Sequence, residues 1–307
     1  MIIPPFLKPG DSVGIVATAR WIEQGPLDFA IGKLSEWGLQ VVSSENLTTR
    51  NFQLAGKDEE RAAAFQSMLD NPDIKAILIA RGGYGTVKIL EHLNWSGFSE
   101  NPKWVCGYSD ITVLHGKLSQ IGVASIHSTM PVSFPVATDS ALQTLQQCLF
   151  GSFGEMTWND SAIVGKCELT GVVKGGNLSV LYSLCGSPEL PDNHGAIVFL
   201  EDVDEHLYHV DRMITGLWRA GFFEGAKGIV AGGMTQMKDN TREFGFPADN
   251  PWGADCFQTI RLLGERLGIP VITGFPAGHM NDNRAFYLGL EAGITVENGI
   301  CTLRYHT

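Results

Sequence analysis

Residues 74–93, IKAILIARGGYGTVKILEHL, run from an apolar, β-branched stretch into a glycine turn and straight on into a helical pattern. A short buried strand, a tight turn and a helix in that order make half of a βαβ unit. The same order recurs on both sides. Apolar runs at 12–17 (SVGIVA) and 103–106 (KWVC) end abruptly at charge or glycine, and helical patterns fill 27–37, 57–69 and 111–121. Strand alternating with helix implies a parallel sheet covered on both faces.

That regularity fades after Pro135. Residues 135–152 carry one more helical pattern, and 153–173 alternate in shorter steps with turn residues, as β-hairpins do. Further strands are expected at 196–200 (AIVFL), 226–231 (AKGIVA) and 270–273 (PVIT), helices at 210–220 and 255–267, and a β-rich end around AFYLGLEAGITVENGICTLRY. The expected architecture is α/β in two domains. A Rossmann/flavodoxin-like parallel-sheet domain spans 1–137, a linker 138–165, and a smaller mixed α/β, β-rich domain 166–307.

The chain has 33 acidic against 22 basic residues, a net charge of -11, and no Lys/Arg run, so its field repels nucleic acid and anionic membranes. A small molecule or peptide is the expected partner. Prolines interrupt the N-terminal apolar residues where a signal peptide needs a helix, and no segment reaches the roughly 18 apolar residues of a membrane span. A cytoplasmic protein is expected. The 6 cysteines lie far apart without a C-x-x-C pair, so reduced thiols are expected rather than a zinc site or disulfide framework.

Four stretches carry candidate chemistry. In WVCGYSDITVLH (104–115) a strand turns into a helix at Ser109, which puts that side chain at the carboxyl edge of the sheet, where open α/β folds bind ligands. Gly107 permits a tight turn, and the helix start supplies N–H groups for an oxyanion. Ser and Asp are also ordinary helix caps, and Ile111 stands where G-x-S-x-G has its second glycine. The turn ARGGYGT (80–86) matches neither G-x-G-x-x-G nor a Walker motif; it reads as a strand–helix connection needing positive φ, or as an oxyanion loop with Gly82 or Gly83 facing Ser109. Arg81 suits a substrate carboxylate or a structural ion pair.

FLEDVDEHLYHVDRM (199–213) follows a strand with Glu201 and Asp202 and adds Asp204, Glu205, His206 and His209. The cluster invites a metal, yet neither H-E-x-x-H nor a calcium loop is present, and a carboxylate orienting a histidine uses the same residues. In TGFPAGHMNDNRAFYLG (273–289), His279 sits in a Pro/Gly-rich loop after a strand and is the preferred base among the 8 histidines. His127, in ASIHSTMP, is a pocket-lining candidate.

Together KPGDSVGIVA (8–17), the 55–85 stretch ending ILIARGGYG, CGYSD (106–110), VKGGNLSVLYSLCGSP (173–188), FLEDVDEHLYHVDRM and GIPVITGFPAGH (268–279) resemble the LD-carboxypeptidases, or muramoyltetrapeptide carboxypeptidases, relatives of the microcin C self-immunity peptidases. The resemblance covers nearly the whole chain. It implies a serine peptidase with a triad of Ser109, Glu201 and His279, the serine on the first domain and the other two on the second, acting as a homodimer without metal or cofactor. Family members release the terminal D-alanine of murein tetrapeptides after diaminopimelate or lysine during cytoplasmic peptidoglycan recycling. The backbone N–H groups of Asp110 and Gly83 are then expected to hold the oxyanion, and Arg81 and Asn177 to bind the terminal carboxylate. A microcin-type peptidase acting on peptidyl or aminoacyl nucleotide analogues is the alternative, with Trp218 and Trp252 as adenine-stacking candidates. Two departures from the family pattern bear on substrate preference: Ala17-Thr18-Ala19-Arg20 replaces a Pro-Ser turn, and His127-Ser128-Thr129 replaces His-Gly-Pro.

Overall fold

The computed structural model describes residues 1–160, 162 and 165–306, which form two units: Met1–Phe153 with Asn281–Gly289, and Gly154–Met280 with Leu290–Thr307. The first half of the chain contributes β1 (Ser12–Val16), α1 (Gln24–Glu36), β2 (Gln40–Ser43), α2 (Asp58–Asp70), β3 (Ile74–Ile79), β4 (Trp104–Gly107), α3 (Thr112–Gln120), β5 (Ser125–His127) and α4 (Asp139–Phe150). The second half contributes β6 (Glu155–Asn159), β7 (Lys166–Asn177), α5 (Leu178–Ser183), β8 (Ala196–Val203), α6 (Leu207–Arg219), β9 (Gly228–Thr235), α7 (Cys256–Leu267), β10 (Val271–Ile272), β11 (Phe286–Leu288), β12 (Glu291–Glu297) and β13 (Ile300–Tyr305).

In the first unit the sheet order is β11-β5-β4-β3-β1-β2. β2, β1, β3, β4 and β5 pair in parallel, and only β11 runs antiparallel, against β5. This is the flavodoxin-like order, whose direction of winding reverses between β1 and β3. Apolar residues of α2 and α3 (Phe65, Met68, Leu114, Leu118) pack on Val16, Ile77, Ile79 and Val105 of the strands. Gly14 of β1 has a packing reason: a methyl there would sit 2.8 Å from the Met68 sulfur. The stretch expected to be helical at 86–93 is a 3-10 helix, Thr86–His92.

The second unit's sheet has the order β10-β9-β8-β7-β12-β13-β6. Its β7 to β10 half is parallel and the remainder antiparallel, as a mixed, β-rich domain requires. On α6 the buried residues Val210, Met213, Ile214 and Leu217 recur at helical spacing and pack with Ile260 and Leu263 of α7 on Val198, Leu200, Ile229 and Ala231. Asp255 and Gln258 close a capping box at the start of α7, and Gly268 ends it in the left-handed region.

The partition differs from the expected one in three places. Residues 138–165 are not a linker: Thr138 caps α4, whose Ala141, Leu142, Leu145, Cys148 and Leu149 are buried, and β6 pairs with β13. β6 and β7 do not pair with each other as a hairpin; they flank the β12–β13 hairpin from opposite sides. Residues 281–289, expected in the second domain, return to the first, where Phe286 pairs with His127. Ser161, Ile163 and Val164 of the expected linker, and Thr307, lie outside the described residues.

Beyond β6, Asp160 is buried and accepts hydrogen bonds from Thr273 N (2.6 Å), Thr273 Oγ1 (2.9 Å) and Arg261 Nη2 (3.1 Å). The carboxylate thus ties β6, α7 and the segment after β10 together. Those donors and the Arg261 charge outweigh burial and hold its carboxyl below the usual value.

Candidate active site

The turn after β4 has unusual backbone. Ser109 lies at φ 64°, in the left-handed region that a residue with a Cβ rarely enters. Such strain persists only where the surroundings impose it and is concentrated at functional positions. The chain reverses sharply here because Gly107 has no side chain: a methyl on it would sit 2.9 Å from Ile111 Cγ1. Ile111 therefore packs over Gly107, which is how this turn manages without a second glycine. Ser109–Ile111 form one 3-10 turn that leads into α3.

Opposite Ser109 lies the loop after β3. A methyl on Gly82 would be 3.3 Å from Ser109 Cβ and 3.4 Å from its Oγ, so Gly82 borders the serine directly. Gly83, at φ 115°, is one residue further on, and the stem of Arg20 covers it. Two buried charged groups hold this loop. The Asp110 carboxylate accepts from Thr86 N at 2.9 Å, and its carboxyl is raised because burial outweighs the Thr86 and Gly85 hydrogen bonds and the Arg61 charge. Arg61, on α2, donates to Gly85 O (3.0 Å) and Thr18 O and pairs with Asp58. It stitches the loop after β1 to the loop after β3. Thr18 and Thr86 add a side-chain hydrogen bond of 2.9 Å between the same two loops. Sequence reasoning missed Arg61, although an arginine in register with the buried Phe65, Met68 and Leu69 is a readable signal.

Arg81 is half-buried, its Nη1 3.5 Å from the Trp21 carbonyl. His127 is buried at the end of β5 and stacks on Phe286, ring centroids 4.8 Å apart.

In the second unit, Glu201 and Asp202 lie within β8 rather than after it. The ladder to β9 shifts register between Leu200 and Asp202, and β9 carries the extra residue: Leu200 faces Ala231 but Asp202 faces Met234. A bulge of this kind re-aims side chains. Gly232 and Gly233 lie at that point, where Gly233 N donates to Ala277 O and a methyl on Gly232 would be 2.3 Å from the same oxygen. The His279 loop comes in against this bare backbone. His279 Nδ1 lies 2.7 Å from Glu201 Oε2, and Thr235 Oγ1 donates to the His279 carbonyl at 2.9 Å. Gly278 is at φ 120°, and a methyl there would sit 2.9 Å from Glu201 Oε2. A glycine before the histidine is what lets the two side chains meet.

Glu201 is fully buried, and as a carboxylate it can only accept, so Nδ1 of His279 carries the proton and Nε2 keeps its lone pair. Burial pushes the His279 imidazole down, but the hydrogen bond and charge of Glu201, helped by Asp202, outweigh it and raise the group above its usual value. Asp202 is pushed up to about 6, by burial first and the Glu201 charge second.

Asn177, expected to bind a substrate carboxylate, has another engagement. Its Oδ1 accepts from Val180 N (3.1 Å) and Ser179 Oγ (2.9 Å), capping α5, and its Nδ2 donates to Asp202 Oδ1 at 3.0 Å. It pairs across the ladder with Glu201. The other acids after β8 are engaged as well, Asp204 in an ion pair with Lys238 and Glu205 in a hydrogen bond with His209 Nδ1, both at 2.5 Å. Among the described residues no three His, Cys, Asp or Glu side chains are grouped to hold a metal ion. Ser109, Asp110, Gly83 and Arg81 thus stand on one unit, and Glu201, His279 and Asn177 on the other.

A serine at a strained strand–helix turn and a histidine oriented by a buried carboxylate are the parts of nucleophilic acyl transfer. The family comparison agrees with that chemistry. The LD-carboxypeptidase N-terminal domain matches residues 13–128 and the LD-carboxypeptidase C-terminal domain matches residues 170–294. A probable murein peptide carboxypeptidase of Bacillus subtilis (strain 168) is 32% identical over 299 residues, covering 95% of this chain and 91% of the relative. Among solved structures, the muramoyltetrapeptide carboxypeptidase of Oxalobacter formigenes has a TM-score of 0.84 at 28% identity and covers 96% of this chain and 99% of its own. An MccF-like protein from Bacillus anthracis (strain Ames) also has a TM-score of 0.84, at 26% identity, with 100% of both chains covered.

Proposed function

Because the chain belongs to the LD-carboxypeptidase family, we propose that it is a serine carboxypeptidase that releases the terminal D-alanine of murein tetrapeptides during peptidoglycan recycling. The observation that carries this reading is the left-handed backbone of Ser109 at the carboxyl edge of a parallel sheet. An ordinary helix cap sits in extended backbone and needs no such strain.

On this reading Ser109 Oγ attacks the scissile carbonyl while Nε2 of His279 takes its proton, and Glu201 holds the tautomer and stabilises the imidazolium. The oxyanion is held by the N–H groups of Asp110 and Gly83. Support for that role comes from the Arg61 and Asp110 side chains, which brace the Gly82 to Gly85 loop. The tetrahedral intermediate collapses, His279 protonates the departing D-alanine amine, and water then hydrolyses the acyl-enzyme by the same base. Arg81 receives the substrate's terminal carboxylate. Asn177 is the second candidate for that carboxylate, and through its bonds to α5 and Asp202 it also supports the Glu201 strand. The enzyme works in the cytoplasm as a homodimer; no helix among the described residues is long and apolar enough to cross a membrane, and family resemblance supports the dimer. For the nucleotide-peptide alternative, the Arg266 guanidinium covers the Trp218 ring at 3.6 Å, which leaves the exposed Trp252 as its stacking candidate.

Ser109→Ala tests the reading. The variant is expected to fold normally and to release no D-alanine from a murein tetrapeptide. Activity above about one per cent of wild type rules out Ser109 as nucleophile, since removing a triad member costs several orders of magnitude.

A further inference from the structure

The loops after β1 and β3 leave the sheet on either side of the point where its winding reverses, the place where open α/β sheets take ligands. Each loop carries an arginine there, Arg20 after β1 and Arg81 after β3. The other arginines of this unit each hold a partner: Arg50 covers the Trp21 ring at 4.0 Å, Arg61 pairs with Asp58, and Arg284 with Asp282. Neither Arg20 nor Arg81 is among the ion pairs of the described residues, although the chain carries an excess of acid. They are near enough for the charge of Arg20, after burial, to disfavour the protonated form of Arg81, with Glu23 offsetting part of this.

Arg20 is also built into its place. Its backbone is held on one side by an isolated bridge to Leu54 and on the other by the Ala55 N to Ala19 O hydrogen bond of 2.9 Å. Its Cγ, Cδ and Nε lie 3.0, 2.6 and 2.5 Å from where a methyl on Gly83 would be. Glycine at 83 is required for φ, and its missing side chain leaves the space that the Arg20 stem fills one residue beyond the Gly82 that borders Ser109. Two guanidinium groups within electrostatic reach, offset only in part by Glu23, disfavour each other, and an arriving carboxylate relieves this while gaining charge-assisted hydrogen bonds.

We propose that Arg20 is a specificity-determining residue that, beside Arg81, binds a carboxylate of the peptide substrate. The inference rests on the carboxypeptidase reading and deepens it. The carboxylate is either the terminal one, shared with Arg81, or the one at the far end of a diaminopimelate side chain, which lysine lacks.

The test measures peptide affinity by calorimetry on the Ser109→Ala background, with and without Arg20→Gln. Four tetrapeptides built on D-isoglutamine combine diaminopimelate or lysine with a D-alanine or D-alaninamide end. Arg20→Gln is expected to weaken binding about 10- to 100-fold, the usual size for a hydrogen-bonded charge pair, and Arg20→Lys to restore part of it. A loss confined to diaminopimelate peptides assigns the side-chain carboxylate; a loss confined to free D-alanine ends assigns the terminal one. Unchanged affinity for all four peptides overturns the proposal, as does an equal loss on the lysine peptide ending in D-alaninamide. Arg20-dependent binding without D-alanine release by the Ser109 enzyme sinks the reaction and keeps the subsite. Neither binding nor release sinks both.

Discussion

Glu201→Gln separates a catalytic carboxylate from a structural one. Glu201 is fully buried, its Oε2 lies 2.7 Å from His279 Nδ1, and its Oε1 has no hydrogen-bond partner among the described residues. In the proposed reaction an imidazolium forms beside this charge. At about 4 Å between charge centres and an effective dielectric constant near 20 the attraction is about 4 kcal/mol, or roughly three orders of magnitude in rate. Glutamine also presents an N–H as readily as an oxygen, and with the N–H facing Nδ1 the imidazole proton moves to Nε2, where the base is needed. The expected loss in kcat is about 1,000- to 10,000-fold. On the proposed mechanism the base must be neutral, so kcat/KM of the wild type is expected to rise with pH through an acid limb above 6.5, because His279 is raised. The glutamine variant loses the main cause of that rise while burial remains, so its residual activity should have its acid limb at lower pH. Stability moves oppositely at the two ends of the range. A raised histidine stabilises the fold fully below its unfolded value near 6.5 and ceases to do so as pH rises through the folded value. Glu201→Gln should therefore lower the melting temperature at pH 6 and leave it unchanged or higher at pH 9, where it removes a buried charge. D-Alanine release read through a coupled oxidase from pH 5.5 to 9, with melting curves at both ends, tests this. A kcat within tenfold of wild type and an acid limb still above 6.5 would refute the assignment.

Two further substitutions probe the units, one in each. Gly82→Ala places a methyl 3.3 Å from Ser109 Cβ and from Met130 Cε; kcat should fall about 100-fold, the size of a small misplacement at a reacting group, with little change in melting temperature, and unaltered kcat would mean that the loop does not define the nucleophile's position. Asp160→Ala removes the acceptor shared by Thr273 and Arg261 and should cost about 3 kcal/mol in urea denaturation at pH 7; a loss below about 1 kcal/mol would show that the ties to α7 and β10 are replaceable.

What could be read without coordinates was the locally encoded part. β1, β3 and β4 are buried runs bounded by glycine or charge, and their periodicity against the helices between them implies the parallel sheet. β2 escaped because it is a short edge strand with mostly exposed residues, and β5 because it has only three. β11 falls in the stretch expected to be β-rich, but its partner β5 lies far away in sequence, so no local pattern shows that it joins the first sheet. The candidate site divides in the same way. Position after a strand points to Ser109 from sequence, but its φ does not follow from residue type. The meeting of Glu201 and His279, 78 residues apart, depends on the β9 bulge and on Gly278, neither of which a local pattern shows. Asn177 shows what a motif leaves out: a polar residue in a glycine motif reads as a substrate ligand, while the structure also uses its Oδ1 to start a helix and its Nδ2 to hold Asp202.

The return of residues 281–289 to the first sheet bears on how the protein is made. The chain crosses between units three times, at 153/154, 280/281 and 289/290, so the two units interleave in sequence and neither is a contiguous module. During synthesis β5 emerges long before β11, the strand that covers its free edge and stacks Phe286 on His127. At about 5–20 residues per second that edge waits roughly ten to thirty seconds for its cover. A ribosome stalled in the second unit would leave an unpaired strand and the unfilled seat of Phe286 and Tyr287 exposed together, the combination that recruits chaperones or aggregates. A fragment cut at Phe153 inherits the same exposed edge permanently.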